Sequence, residues 1–312
     1  MAAHGERILN LGPRPLASPR LSVLTPFHRD DPSALIERLG RAPEGVEFVF
    51  LDDGSGSAAL LARVLKCAEA LHAPVKIVVL KDNSGRAAAR NRLIEEARGE
   101  YVLFLDADMA PDASDFLPRW LELIQQQRPF VAFGGLSLKH TAITPETALH
   151  HDLFGRSDCR TAHERARYPA QFTASANLLV RRDLMREIQF DPGFHGWGWE
   201  DVDWALRAAK CAPILHVDNS ASHTGLEDID TLLRKCAEAG PNFARLARKH
   251  PQAMAKMASY RVARALKLAP LRSSWRAFCA WLARDPMQSA PLRVRSAALK
   301  LYRASYYAEY LP

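Results

Sequence analysis

Two aspartates flank a single alanine at Asp106-Ala107-Asp108, directly after the apolar run YVLFL. Hard divalent cations take carboxylate oxygens, so acids placed this way can hold Mg2+ or Mn2+ against a substrate phosphate. The plainer alternative is a solvated turn with a helix-capping acid, and a lone DxD does not decide between them. A second acidic pair, Asp52-Asp53, opens the turn DDGS after an apolar run. It suits either an Asx turn joining strand to helix or a carboxylate that accepts hydrogen bonds from a nucleobase or ribose. Arg86, Arg90 and Asn91 share a helix face at i, i+4, i+5 spacing. A guanidinium there can pair with phosphate or stabilise Asp52 or Asp53.

Residues 193–203 read GFHGWGWEDVD. Glu200, Asp201 and Asp203 open a helix, where the dipole alone favours acids by about 0.3–1 kcal/mol each. That does not account for Trp197 and Trp199 among glycines. Aromatic platforms beside carboxylates suit sugars, whose apolar faces stack while their hydroxyls hydrogen-bond, and a carboxylate beside an acceptor hydroxyl can act as general base. His223 is either a structural hydrogen-bonding residue or a further ligand of an aspartate-held cation. The other histidines, including His150-His151 and His163, have no convincing ligand spacing.

These groups need strands and helices to position them. Residues 21–25 form an apolar run that breaks at Pro26, and 46–51, 75–80 and 100–105 read as buried strands. Residues 33–39, 57–71 and 85–98 read as helices, the second with Leu60, Leu61, Val64, Leu65, Ala68 and Leu71 on one face. Continuous apolar strands separated by such helices predict an α/β fold with a mostly parallel central sheet flanked by helices. Ligands of such sheets bind at the carboxyl ends of the strands. Thr25-Pro26, Asp52-Asp53, Lys81-Asp82-Asn83 and Asp106/Asp108 all fall at those ends. Farther on, 115–127 and 200–210 read as helices, and 130–138, 171–181 and 214–217 as strands. Residues 139–168 have weak periodicity. After Leu226 the pattern is helical, with interruptions at Pro241, Pro251, Pro270, Pro286 and Pro291.

In order and spacing, LSVLTPF, FVFLDDGSGS, KDNSGRAAARN and YVLFLDADMAP resemble the nucleotide-sugar-binding half of glycosyltransferase family 2, with its GT-A fold. GWGWEDVDWALR followed by SHTG resembles the acceptor-side motif shared by chondroitin-polymerase-type transferases and the β-1,4-galactosyltransferase C-terminal region. The resemblance spans roughly 21–225. It implies that Thr25, Pro26, Asp52 and Asp53 hold base and ribose, most often uridine, and that Asn83, Arg86 and Arg90 shape the same pocket. Asp106 and Asp108 would bind the diphosphate through Mn2+ or Mg2+, with His223 as an additional ligand. Trp197 would border the sugars, Glu200 would contact their hydroxyls, and Asp201 would be the catalytic base. Trp199 stands where such relatives usually carry glycine, which puts it on the acceptor side and leaves acceptor specificity open. The implied activity is inverting hexosyl or N-acetylhexosaminyl transfer from a nucleotide sugar, of the UDP class, to a glycan or lipid-linked hydroxyl in surface polysaccharide or glycoconjugate synthesis. Two other classes stand beside it: a noncatalytic binding relative, and a nucleotidyltransferase-like phosphate enzyme. The latter would want a glycine-rich loop near the first strand, and Thr25-Pro26-Phe27-His28-Arg29 contains no glycine.

The bulk numbers bound the rest. With 312 residues, 48% hydrophobic and 25% charged, the chain is neither collagenous, disordered nor a coiled coil. Five scattered cysteines without a CxxC fit a reducing compartment rather than a disulfide framework. No apolar run nears the roughly 20 residues needed to span a bilayer. The N-terminal residues have no charged-then-apolar signal pattern, so the expected location is the cytoplasm. The net charge of +7 is uneven: 1–230 carries 26 basic and 32 acidic residues, whereas 231–312 carries 16 basic and 3 acidic. This divides the chain into a catalytic domain, 1–230, and a basic helical region, 231–312. In the latter, Arg245, Arg248 and Lys249, then Arg261, Arg264 and Lys267, recur at helical spacing among apolar residues such as Val262, Leu266, Trp275, Phe278, Trp281 and Leu282. Such a region can pack with a solvated basic face, lie on the cytoplasmic face of an anionic membrane, or hold an anionic glycan acceptor. No nucleic-acid partner is expected.

Overall fold

Val46–Asp52 and Tyr101–Leu105 are buried at every position, which a strand achieves only when both faces of its sheet are covered. The computed structural model describes residues 6–270 and 272–311. It forms two compact units. One comprises the chain up to Thr141 with Asp158–Pro192 and Trp204–Gly225; the other comprises Ala142–Ser157, Gly193–Asp203 and the chain from Leu226 onward.

The first unit is the α/β body. Its strands are β1 (Arg7–Leu11), β2 (Leu21–Phe27), β3 (Val46–Asp52), β4 (Val75–Val79), β5 (Tyr101–Leu105), β6 (Met109–Pro111), β7 (Val131–Phe133), β8 (Leu136–Ser137), β9 (Asn177–Arg181), β10 (Ile214–His216) and β11 (Ala221–His223). Among the described residues the main sheet runs β1-β4-β3-β2-β5-β9-β7-β10, and a small sheet runs β6-β11-β8. The centre, β4-β3-β2-β5, is parallel; β1 and β9 are antiparallel to their neighbours. Period-two alternation splits the strands between two cores. Phe48 and Phe50 face Leu60, Val64 and Trp120 on one side, while Val49 and Leu51 face Leu93, Ile94 and Trp204 on the other.

Three local expectations change. Pro26 does not end β2, which continues to Phe27. The ladder with β5 stops at Leu24, so the missing N–H of Pro26 costs no bond on that side. The strand expected over 171–181 is shorter: Pro169–Phe172 is a 3-10 turn, and β9 begins only at Asn177. Strand β1 was not expected, because an edge strand with both faces largely exposed has no apolar run to reveal it.

One buried group ties this unit's stability to pH. His216 accepts from Arg165 Nε at Nδ1 (3.2 Å), and its Nε2–H donates to the Pro169 carbonyl (3.2 Å). Burial, then the Arg165 charge, pushes its pKa down to about 4, with the Pro169 carbonyl opposing. The unfolded ring titrates near 6.5, so below that pH the unfolded chain binds a proton that the native state refuses. Stability is therefore expected to fall as pH drops from about 6.5 to about 4, by about 3 kcal/mol in all from this residue. Urea melts of the protein and of His216→Gln across that range check this. Equal acid slopes for both would exclude His216 as the source.

The second unit is helical. Ala148–Ser157, Ile229–Lys249, Arg272–Arg284 and Leu292–Tyr310 enclose a core of Leu149, Leu233, Cys236, Ala283, Leu299 and Tyr302. Pro251–Lys256 and Ala258–Lys267 complete it. Pro241 lies inside the long helix rather than interrupting it. Its neighbour Gly240 lets the Tyr310 ring approach so closely that a Cβ would sit 2.6 Å away, and Phe243 next to it is fully buried. Packing there outweighs the lost helical hydrogen bond. Among the described residues no helix is long and apolar enough to cross a membrane.

Candidate active site

Each predicted donor-side residue except His223, which lies in β11, is at a carboxyl end of β2, β3, β4 or β5, or on the loop or helix that follows. Thr25 is fully buried in β2, and its hydroxyl has no hydrogen-bond partner among the described residues. Pro26 follows it, half-buried. Asp52 ends β3, its carboxylate accepting the Ser55 N–H and hydroxyl, both at 2.8 Å. Asp53 accepts Ser84 N–H (2.7 Å), Ser84 hydroxyl (2.6 Å) and Gly85 N–H (3.1 Å). Its carbonyl accepts from Asn83 Nδ2 at 3.1 Å. Gly54 between the two loops has φ +70°, and a Cβ there would lie 2.4 Å from the Asp82 carbonyl carbon. Only glycine lets these loops meet. Asp52 thus closes the turn after β3 on itself, and Asp53 locks the loops after β3 and β4 together.

This arrangement redirects the arginines. With Asp52 and Asp53 already satisfied by Ser55, Ser84 and Gly85, the guanidiniums turn to Asp106. Arg90 Nη2 donates to Asp106 Oδ1 at 2.8 Å and Arg86 Nη2 to Oδ2 at 3.4 Å. The i, i+4 spacing on the helix Arg86–Glu96 aims both at the same strand end. Arg90 is buried and lies 5.7 Å over the Phe190 ring. Breaking a buried ion pair of this kind typically destabilises a protein by about 3–5 kcal/mol, so substitutions at Asp106 are expected to act on folding. Asn91, on the same helix, instead exchanges two hydrogen bonds with the Phe190 backbone, at 2.8 and 2.9 Å.

Asp108 has a different partner. His223 Nε2 lies 3.0 Å from Asp108 Oδ2, and the Asp108 carbonyl accepts from the Thr224 N–H (2.9 Å) and hydroxyl (2.8 Å). Burial pushes the Asp108 carboxyl up, but the His223 hydrogen bond and charge, helped by Arg86, hold it below its ordinary range. Strand β11 pairs with β6 so that His223 stands opposite Met109, which brings residues far apart in sequence to one point. A carboxylate and an imidazole together suit Mn2+. Asp106 is drawn to the arginines, and no group of three His, Cys, Asp or Glu side chains among the described residues is arranged to hold a metal. Of the three side chains expected to hold a cation, Asp108 and His223 lie together, 3.0 Å apart, while Asp106 faces the arginines.

The sugar-side residues lie in the helical unit. Glu200–Ala208 begins with the three acids, and their surroundings differ. Asp203 is fully buried, with Lys249 Nζ at 2.7 Å and His250 Nε2 at 2.9 Å from its Oδ1. Glu200 is buried, whereas Asp201 keeps part of its surface accessible. Trp197 is half-buried, its ring 5.8 Å from Lys235 Nζ. Trp199 adopts φ 76°, a left-handed conformation that favours glycine. Tryptophan is held there by an aromatic seat: its Nε1–H donates to the Tyr307 hydroxyl at 3.1 Å, and its ring lies 5.0 Å from that of Phe243. Trp199 therefore packs the loop rather than presenting an open sugar platform.

Sequence reasoning missed the residues that hold this loop. Asn242, buried in Ile229–Lys249, donates from Nδ2 to the carbonyls of His195 (2.8 Å), Gly198 (3.0 Å) and Trp197 (3.3 Å). Arg245 and Lys249 each stack 5.4 Å over Phe194. Residues 242, 245 and 249 share one face by i, i+3, i+7 spacing. That face is turned onto the loop, so the basic stripe is not wholly solvated. Arg248 stays outside as expected, and Lys249 is also exposed although its Nζ reaches Asp203.

Known proteins agree with this architecture. The sequence profile described as glycosyl transferase family 2 matches residues 22–189, more than half of the chain. The chain belongs to glycosyl transferase family 2. It is 24% identical over 222 residues to N-acetylgalactosaminyltransferase 7 of Drosophila melanogaster, covering 63% of this chain and 37% of that protein. It is 27% identical over 179 residues to the amylovoran biosynthesis glycosyltransferase AmsB of Erwinia amylovora, covering 53% and 54%. The chain thus spans about half or less of these curated relatives. In fold it is similar to a Pyrobaculum calidifontis mannosyltransferase solved with GDP-Man and Mn2+, at TM-score 0.58 and 18% identity over 96% of this chain and 89% of that one. The family 2 profile ends before the Gly193–Asp203 loop, so the donor-side residues except His223 lie within it and the acceptor-side ones do not.

Proposed function

We propose that this family 2 chain is an inverting glycosyltransferase, moving a hexosyl or N-acetylhexosaminyl group from a UDP-class nucleotide sugar to a hydroxyl of a glycan or lipid-linked acceptor. Surface polysaccharide or glycoconjugate synthesis is the setting, as in the amylovoran relative. The Asp108–His223 pair beyond β5 carries the reading: a carboxylate and an imidazole with affinity for Mn2+, in a family member whose fold is shared with a transferase solved with Mn2+.

In this reading Thr25, Pro26, Asp52, Asp53 and Asn83 form the wall for base and ribose. Asp108 and His223 would hold the divalent cation, which when bound supplies positive charge to the departing diphosphate. Arg90 and Arg86 fix Asp106 at the same strand end and add cationic character near the phosphates. Asp201 takes the proton from the acceptor hydroxyl, whose oxygen then forms a bond to the anomeric carbon. The bond from that carbon to the diphosphate oxygen breaks, the nucleoside diphosphate leaves with the electron pair, and the configuration inverts. Trp197 borders the sugar, and Glu200 contacts its hydroxyls.

Thermal melts against a panel of nucleotide sugars, with Mn2+ and with EDTA, test the reading. At least one UDP sugar is expected to raise the melting temperature only when Mn2+ is present, and Asp108→Asn should remove that increment. Failure of every UDP and GDP sugar would overturn the donor assignment. Stabilisation by GDP sugars alone would overturn its UDP half.

A further inference from the structure

The helix Arg272–Arg284 has two faces of opposite character. Cys279, Ala280 and Ala283 are buried in the helical unit. On the other side Trp275, Phe278 and Trp281 stand in solvent at 57%, 50% and 45% exposure. The three rings run in series along the helix, with centroids 6.2 and 6.1 Å apart. Beyond the helix end Met287, 73% exposed, Leu292 and Val294 are exposed apolar residues as well. Arg295 Nε donates to the Ala283 carbonyl at 3.0 Å, which holds the start of the last helix beside the end of this one. Leu268, on the other flank, is also exposed. Scattered exposed apolar residues are ordinary, but a contiguous aromatic and aliphatic surface marks an interaction site.

The surrounding charge selects the partner. Residues 231–312 contain 16 basic and 3 acidic residues. Two of those acids are already paired within the unit, Glu309 with Arg276 and Glu238 with Arg234. In sequence, exposed cations flank the aromatic helix at Arg261, Arg264 and Lys267 before it and Arg293 after it, while Arg284 at its end pairs with Asp230 at 2.8 Å. Tryptophan and phenylalanine with arginine and lysine around them match the interface of an anionic bilayer, where rings enter the headgroup boundary and cations meet lipid phosphates. We infer that Trp275, Phe278 and Trp281 form a monotopic docking surface for an anionic lipid membrane. This surface acts whichever sugar the enzyme transfers.

Flotation of the whole chain tests it. With vesicles of phosphatidylcholine containing phosphatidylglycerol, the protein is expected to float, and roughly tenfold less with phosphatidylcholine alone or in high salt. The combined variant Trp275→Ser, Phe278→Ser, Trp281→Ser alters exposed positions only, so it should keep its circular dichroism spectrum while its partition to anionic vesicles drops by roughly tenfold or more. Tryptophan emission of the unsubstituted protein should shift to the blue on adding anionic vesicles and be quenched by brominated chains. Absence of flotation, or unchanged flotation of the triple variant, overturns the inference. So does a dimer in sedimentation velocity that the triple variant converts to monomer without any vesicle effect, because the surface would then belong to a second copy. Nucleotide-sugar melts of the same variant should be unchanged, which keeps this outcome separate from the donor assignment.

Discussion

Asp201→Asn is expected to lower sugar transfer by about 10²–10⁴-fold, the usual contribution of a positioned general base. The amide keeps the side chain's shape and loses its capacity to accept a proton at neutral pH. Nucleotide-sugar binding should survive, because the donor-side residues belong to the other compact unit. Folding should survive as well, since exchanging an acid in the first helical turn changes stability by only about 0.3–1 kcal/mol. Asp201 is the residue that the motif resemblance places as base, and its neighbours have other surroundings. Asp203 is held by Lys249 and His250, and Glu200 is buried, while Asp201 keeps accessible surface. Initial rates with donor and acceptor, alongside donor-induced melting shifts, provide the check. Near-normal transfer by the asparagine variant would remove Asp201 from the role.

Asn242→Ala is the second large effect. One amide nitrogen donates to three carbonyls of the loop, those of His195, Trp197 and Gly198. Without it the loop that leads into Asp201 loses its anchor, and misplacement by about 1 Å can cost about 10²-fold in rate. We expect kcat to fall by about 10–100-fold, with little change in donor KM and a stability loss of about 1–3 kcal/mol for the carbonyls left unpaired. Asn242→Asp should be at least as damaging, since a carboxylate of equal size faces the same carbonyls with no donor to offer. A fall in melting temperature with kcat intact would reduce Asn242 to a stabilising residue.

What the sequence discloses about this site depends on how local the determinants are. The strand ends at Asp52-Asp53 and Asp106/Asp108 were readable because an uninterrupted apolar strand followed by acids is a local pattern. Ser33–Leu39 was readable from its own periodicity and matches the helix found. The direction taken by Arg86 and Arg90 was not, because it depends on Asp52 and Asp53 having been satisfied first by Ser55, Ser84 and Gly85, a competition settled only in three dimensions. Asn242 was hidden by its neighbour. Pro241 reads as a helix break, and a helix that tolerates it does so through packing of Gly240 and Phe243, which no propensity records. Arg245 and Lys249 were legible as a helical basic face, but whether such a face meets solvent or a loop is a tertiary fact. At Trp199 the departure from the family's usual glycine was visible, and the left-handed backbone with its Tyr307 and Phe243 seat supplies the physical reason that it is unusual.

That seat has a practical consequence for where the chain can be cut. A protein ending near residue 230 would retain every carboxylate of the proposed chemistry. It would lack Asn242, which pins the loop, Phe243 and Tyr307, which hold Trp199 in its strained conformation, and Lys249 and His250, which contact the Asp203 carboxylate. The long helix and the last helix therefore function as the frame of the Gly193–Asp203 loop, and an enzyme trimmed to its family-matching half would bring a donor site without an ordered acceptor loop.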